Sequence, residues 1–142
     1  MFNNIIIPID LADKQSLKSV FPPALNFVNA FGSKIHLVHI MPNFGMKMVE
    51  DYLPRHWMND QKKKYNKIFE EIVEKYIPEN IEVLYHIGRG AIYDEVIKYS
   101  EAVNGDLIII SAVRQQLKDY MLGSNASKIV RHSSISVMVI RD

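Results

Sequence analysis

The 142-residue sequence predicts an α/β fold, a five-stranded parallel open sheet with helices on both faces. Three observations carry that prediction. Leu107, Ile108, Ile109 and Ile110 follow one another without polar alternation, as do Ile5, Ile6 and Ile7. Strands that are apolar on both sides are buried on both sides, and these belong to parallel sheets covered by helices. Next, five strand-like runs alternate with segments of helical period, the order that βα crossovers produce. Finally, polar and glycine-bearing stretches collect after the strands: Asp10 after the first, Gly88-Arg89-Gly90 after the third, Ser111 to Asn125 after the fourth. In open parallel sheets ligands sit at that edge, where the strand order switches.

Ile5-Ile6-Ile7 opens the first strand, and Pro8, which donates no ladder bond, belongs near its end with Ile9 and Asp10. Asp10 there either accepts from a ribose or adenine group or caps the adjoining loop or helix. Leu11 to Phe31 has helical spacing at Leu17, Val20 and Phe21, but Pro22-Pro23 removes two donors and pushes Phe21 towards extended backbone. A kink or restart is expected, with Leu25, Val28 and Phe31 facing the core and Gly32 closing the helix. Ser33 to Ile40 is the second strand. His36 and His39 are oddly spaced, so a regular strand points them to opposite faces, each packed or hydrogen-bonded and unable to share a metal. From Met41 to Met58 the pattern lapses, giving a lid over a pocket or a loop with a helical turn around Met46 to Leu53. Trp57 and Tyr52 are expected to anchor it by burying their rings, with adenine stacking the alternative.

Asn59 to Tyr76 is an amphipathic helix, with Tyr65, Ile68, Phe69, Ile72, Val73 and Tyr76 on its stripe and Lys62-Lys63-Lys64 on a solvated face. Pro78 stops it. Glu82 to Ile87 is the third strand, and a helix over Ile92, Val96 and Ile97 comes next, with Asp94 and Glu95 near its first turn. Asn104-Gly105 ends that helix before the fourth strand. After Ser111 a polar loop leads to Gly123-Ser124-Asn125 and a short helix with Ala126, Ile129 and Val130 on one side. Ser124 or a neighbour is its expected N-cap. Free backbone N–H groups beside a glycine and a hydroxyl make an anion cradle suited to phosphate, although an ordinary capped helix explains the same residues. Ile135 to Ile140 is the fifth strand.

The length suits one domain, residues 1–142, with a sizeable core. A net charge of +1 gives no argument for nucleic acid or an acidic membrane surface as partner. The absence of cysteine excludes disulfides, zinc-thiolate sites and thiol nucleophiles. The first residues lack the charged and apolar regions of a signal peptide, and no apolar run approaches the roughly 20 residues of a membrane helix. A cytoplasmic protein is expected. No metal-binding carboxylate pair, nucleophile–base pair or catalytic lysine stands beside the cradle, which argues for binding over catalysis.

Related architectures are separable by their motifs. A phospho-accepting receiver needs an acidic pair after the first strand and an aspartate after the third; here Asp10 stands alone and the third strand ends His86-Ile87-Gly88. A flavodoxin places its Ser/Thr-rich loop where this chain has Leu11-Ala12-Asp13-Lys14, and neither G-x-G-x-x-G nor G-x-x-x-x-G-K-[ST] occurs. The segments Ile5-Ile6-Ile7-Pro8-Ile9-Asp10, Leu37-Val38-His39-Ile40, Gly88 with Ala91, and Leu122-Gly123-Ser124-Asn125-Ala126-Ser127, followed by Val130-Arg131-His132 and Ser136 to Ile140, resemble the universal stress protein family over essentially the whole chain. The F/G-type small bacterial members resemble it most.

That resemblance implies a Rossmann-like fold of strand order 3-2-1-4-5, related to the adenine nucleotide hydrolases, and a bound ATP with any Mg²⁺ held mainly by the nucleotide. Asp10 and the backbone at Pro8 and Ile9 would meet the nucleoside, Ile40 the adenine through its main chain, and Gly88 would leave room for the ligand. Ser111, Arg114, Gly123, Ser124 and Asn125 would hold phosphates. The family's G-x-x-G-x9-G-[ST] pattern is altered: Ser111 and Arg114 replace its first two glycines, and the loop before Gly123 is one residue shorter. The implied role is a nucleotide-responsive stress-response protein, homodimeric through the strand Ile135 to Ile140. The alternative is a dimeric interaction module of the same fold without nucleotide. An enzyme acting on the α-phosphate is a third possibility, although the Ser-Gly-Gly-x-Asp-Ser loop it needs is absent.

Overall fold

The structure is a computed structural model that describes residues 1–11, 14–41, 52–112 and 123–141. Its elements are β1 (Asn4–Pro8), α1 (Lys14–Phe31), β2 (Lys34–Met41), α2 (Trp57–Tyr76), β3 (Val83–Arg89), α3 (Ile92–Ala102), β4 (Leu107–Ser111), α4 (Ser124–His132) and β5 (Ser136–Ile140). The five strands form one parallel sheet in the order β3-β2-β1-β4-β5. Odd positions of the central strands (Ile5, Ile7, Ile35, Leu37, Leu107, Ile109) pack with Leu17, Phe21 and Val28 of α1 and Phe69 and Ile72 of α2. Even positions (Ile6, Val38, Ile40, Ile108, Ile110) pack with Val96 of α3 and Ile129 of α4. The unalternating apolar runs are therefore explained: each residue faces a helix layer on one side or the other.

Several local expectations need correction. The α1 helix runs unbroken from Lys14 to Phe31 with Pro22 and Pro23 inside it. Leu17, Val20, Phe21, Ala24 and Val28 are all buried at helical spacing across the prolines, so core packing outweighs two missing donors. Proline's fixed φ also suits a helix. Leu25 is half-buried and Phe31 is 42% exposed, its ring meeting Phe2 and Phe27 instead of the core. Gly32 closes the helix as expected, at φ 68° with its N–H donating to the Val28 carbonyl at 2.7 Å. Tyr52 is 86% exposed and buries no ring, whereas Trp57 is half-buried at the start of α2. The expected lid or turn falls mostly on residues 42–51, outside the described residues. Val130 is exposed, so α4 buries Ile129 alone and half-buries Ala126.

His36 and His39 do take opposite faces, each with partners. The Asn4 side-chain amide donates to the Asn104 carbonyl, which leaves its oxygen 3.2 Å from His36 Nε2 as an acceptor. His36 Nδ1 then accepts from the Tyr99 hydroxyl at 2.9 Å, so the imidazole ties β2 to β1 and α3. Burial holds His36 below the usual histidine pKa; Lys34 adds to that and Glu82 opposes it.

Candidate functional site

β1 lies between β2 and β4, so the chain's crossovers leave it in opposite directions along the sheet. The carboxyl ends of these strands diverge there, and a cavity of about 350 Å³ opens at that point. Pro8, Ile9 and Asp10 line it from the end of β1, and Val38, His39 and Ile40 from β2. Ile110, Ser111 and Ala112 come from the end of β4, Gly123, Asn125, Ala126 and Ile129 from α4, Ile92 and Val96 from α3, and Ser16 from α1. The size falls in the usual range for small-molecule sites, about 300–1,000 Å³, and the lining has their usual character, apolar walls with few polar groups.

Asp10, Ser16, His39, Ser111 and Asn125 are the polar side chains of that lining. Asp10 follows β1, with its carboxylate exposed. Across the switch point α4 begins, and its N-cap is Gly123, not Ser124 (φ −56°, ψ 157°). A glycine cap has no side chain to accept from the amides of the first turn, and no side-chain cap bond is made there among the described residues. The last turn of α4 carries Arg131 and His132, which favour the dipole from its other end. A helix start of this kind suits an anion, and the Gly-Ser-Asn run marks its place in the sequence.

Of the remaining sequence-predicted residues, Ser124 is exposed at the first position of α4 and is not part of the cavity lining. Gly88 lies within β3, not after it, paired with Ile40. A Cβ at Gly88 would come within 2.7 Å of Ile40 Cδ1, so the room it leaves is taken by the Ile40 side chain. Arg114 lies outside the described residues. His39 is the addition that spacing rules missed. Its Nδ1–H donates to the Ile9 carbonyl at 3.3 Å and its ring lies 4.5 Å from that of Tyr65. Burial lowers its pKa, against the raising effects of that hydrogen bond and of Asp10. Its place beside Ile40 at the end of β2 was the available signal. Among the described residues no cluster of three or more His, Cys, Asp or Glu is placed to hold a metal ion, and no helix is long and apolar enough to cross a membrane.

Comparison with known proteins gives this architecture its relatives. Universal stress protein G of Escherichia coli O157:H7 is 23% identical over 143 residues, covering 99% of this chain and 100% of that protein. The universal stress protein UspA from Lactobacillus plantarum shares the fold with a TM-score of 0.76 at 17% identity, over 99% of this chain and 98% of that one. The universal stress protein from Archaeoglobus fulgidus in complex with dAMP superposes with a TM-score of 0.67 at 17% identity, over 99% of both chains. The sequence model of the Universal stress protein family matches residues 1–141, which takes in every element from β1 to β5. With that match from end to end, this chain belongs to the universal stress protein family.

Proposed function

We propose that this protein binds an adenine nucleotide, ATP with any Mg²⁺ held mainly by the nucleotide, and acts in the cytoplasm as a nucleotide-responsive stress-response protein. One observation carries the reading: a single cavity is lined both by Asp10 and by the glycine-capped start of α4. A molecule with hydroxyl donors at one end and negative charge at the other is recognised at both ends by such a cavity. The apolar walls of the cavity suit a purine ring. The dAMP complex of the Archaeoglobus fulgidus relative supports the same ligand class. In this reading Pro8, Ile9 and Asp10 meet the nucleoside and the Ile40 main chain meets adenine. Gly88 acts by admitting the Ile40 side chain, and Ser111, Gly123, Ser124 and Asn125, with Arg114, hold phosphates. The role is binding, and steady turnover of ATP at enzyme-like rates with Mg²⁺ or Mn²⁺ would contradict it.

Assembly is part of the reading. β5 is a terminal strand with Val137, Met138, Val139 and Ile140 only half-buried. Apolar edges are normally covered, and pairing with a second copy about a twofold axis covers this one. Light scattering at micromolar concentration is expected to give a mass above that of the monomer. Calorimetric titration of ATP, ADP and AMP into nucleotide-stripped protein tests the site directly. Asp10→Ala should weaken binding about tenfold or more, the effect of removing a charge-assisted hydrogen bond. If none of the three nucleotides binds, the proposed role is lost and the interaction module without nucleotide is left.

A further inference from the structure

β3 is the other terminal strand of the sheet, seven residues long, with Leu84 and Tyr85 exposed at 39% and 36%. α2 lies above it, with Phe69 stacked on Tyr85 at 5.1 Å between ring centres. The charges on this stretch are segregated along the helix axis. Arg55, Lys62, Lys63, Lys64 and Lys67 come first, with Asp60 as their one carboxylate. Glu70, Glu71, Glu74 and Glu79 come second, with Lys75 as their one cation, and all of these side chains are exposed. Asp60 and Lys75 stand in the end turns, where the dipole favours them. Between them the order places like charges at helical-neighbour spacing, Lys63 and Lys64 with Lys67 and Glu70 and Glu71 with Glu74, which weakens a solvated helix. Among the described residues the ion pairs are Lys34–Glu82 and Lys98 with Asp94 and Glu95, so none relieves the segregation on α2. Opposite charges also stand at helical-neighbour spacing, Asp60 with Lys64, Lys67 with Glu71 and Glu71 with Lys75, yet the two signs still occupy different halves of the helix.

Lys62, Asn66 and Glu70, four residues apart, run along one flank of α2. It is the flank beside β3, because Tyr65 meets His39 of β2 while Phe69, turned further towards that flank, meets Tyr85 of β3. Glu70 is near enough to Tyr85 to add to the rise in its hydroxyl pKa that burial causes. Lys62 is near enough to His86 to add to the lowering that burial causes there, against the opposite pull of Glu95. We propose that the β3 edge and this flank of α2 dock a second copy of this chain about a twofold axis normal to the sheet. Antiparallel pairing of two β3 edges continues the sheet and sets two α2 helices side by side, antiparallel, on one face. With the axis near Asn66, Lys62 of each copy meets Glu70 of the other, because both lie four residues from it. Leu84 and Tyr85 supply apolar contact. A uniformly acidic partner would be repelled by the glutamate half, and nucleic acid likewise, whereas a second copy presents the two signs in reverse order. The β5 edge lies at the opposite side of the sheet, so this contact is independent of it.

The chain's lack of cysteine makes the test direct. Asn66→Cys puts one thiol at the axis, and Lys64→Cys puts one two residues away, on the far side of the helix. Under mild oxidation at micromolar protein and low salt, Asn66→Cys is expected to form a covalent dimer about tenfold faster than Lys64→Cys, and to slow as salt screens the charges. Adding Lys62→Glu with Lys63→Glu, or adding Glu70→Lys, should each suppress that dimer. Mixing the two reversed proteins should restore it as a heterodimer, since each reversed flank then meets its complement. The proposal is overturned if Asn66→Cys reacts no faster than Lys64→Cys, as a dimer made through β5 alone would require. Cross-linking indifferent to charge reversal, or reversed variants that fail to rescue each other, also overturns it. So does capture of an acidic macromolecule without self-association.

Discussion

Gly88 shows how a single missing methyl group reaches the site through a neighbour. The sequence places a glycine near the end of the third strand, and room for a ligand was the natural inference. The structure pairs Gly88 with Ile40 and fills the space with Ile40 Cδ1, which a Cβ at position 88 would approach to 2.7 Å. Ile40 in turn lines the cavity. Gly88→Ala should therefore move a wall of the site more than it unsettles the fold. The colliding atom is the free end of a flexible side chain, so the stability loss should be at the low end of overpacking costs, about 1 kcal/mol. Nucleotide affinity should fall several-fold, and paired thermal unfolding and titration would separate the two effects. Unchanged affinity would mean that Ile40 serves the site through its main chain alone. Asp10 gives the opposite profile: exposed at a strand end, it should lose affinity on replacement by alanine with little change in stability.

The elements differ in how much of each was written locally. β1 and β4 were legible because helices on both faces force every position to be apolar, a signal no solvent-facing strand gives. The α4 start was legible because glycine, serine and asparagine act through backbone geometry at that very place. The course of α1 was not, because the proline rule is local while the burial of Phe21 and Ala24 is tertiary. Pro22, exposed within α1, withholds a hydrogen bond from the Lys18 carbonyl. Pro22→Ala should then stabilise the protein by about 1–2 kcal/mol, the restored bond exceeding the entropy returned to the unfolded chain. A lower melting temperature would show that proline is preferred there. The strands β2 and β3 carry a different prediction. Burial is the main cause holding His36, His39 and His86 below their ordinary pKa. The unfolded chain takes up these protons as pH falls through about 6.5, while the folded chain does so only at lower pH. Stability is thus complete above that value and declines as pH drops from 6.5 towards the folded pKa values. Melting temperatures at pH 7.5 and 5 should show that fall, and His36→Gln or His86→Gln should flatten it.

At the scale of the molecule, the cavity belongs to no single element. Ile9 reaches it from the core shared with α1 and α2, while Val38, Ile40, Val96, Ile110 and Ile129 reach it from the core shared with α3 and α4. The site exists only when residues from positions 8 to 129 have been brought together, so the unfolded chain has nothing comparable to offer a nucleotide. Binding must then appear as stability. At a free ligand concentration one hundred times Kd the gain is about 2.7 kcal/mol. For a domain of this size each kcal/mol moves the melting temperature by about 2–4 °C, which gives a shift of roughly 5–10 °C with ATP. Adenosine and inorganic triphosphate, each carrying part of the proposed ligand, should produce smaller shifts at equal concentration, and Asp10→Ala should narrow the gap between triphosphate and ATP. Because both hydrophobic clusters contribute walls, near-ultraviolet circular dichroism and tryptophan emission should move at the same temperature with and without ligand. A melting curve that ATP splits into two steps would mean the two faces of the sheet do not share the site, and a midpoint unmoved by millimolar ATP would mean the cavity holds something else.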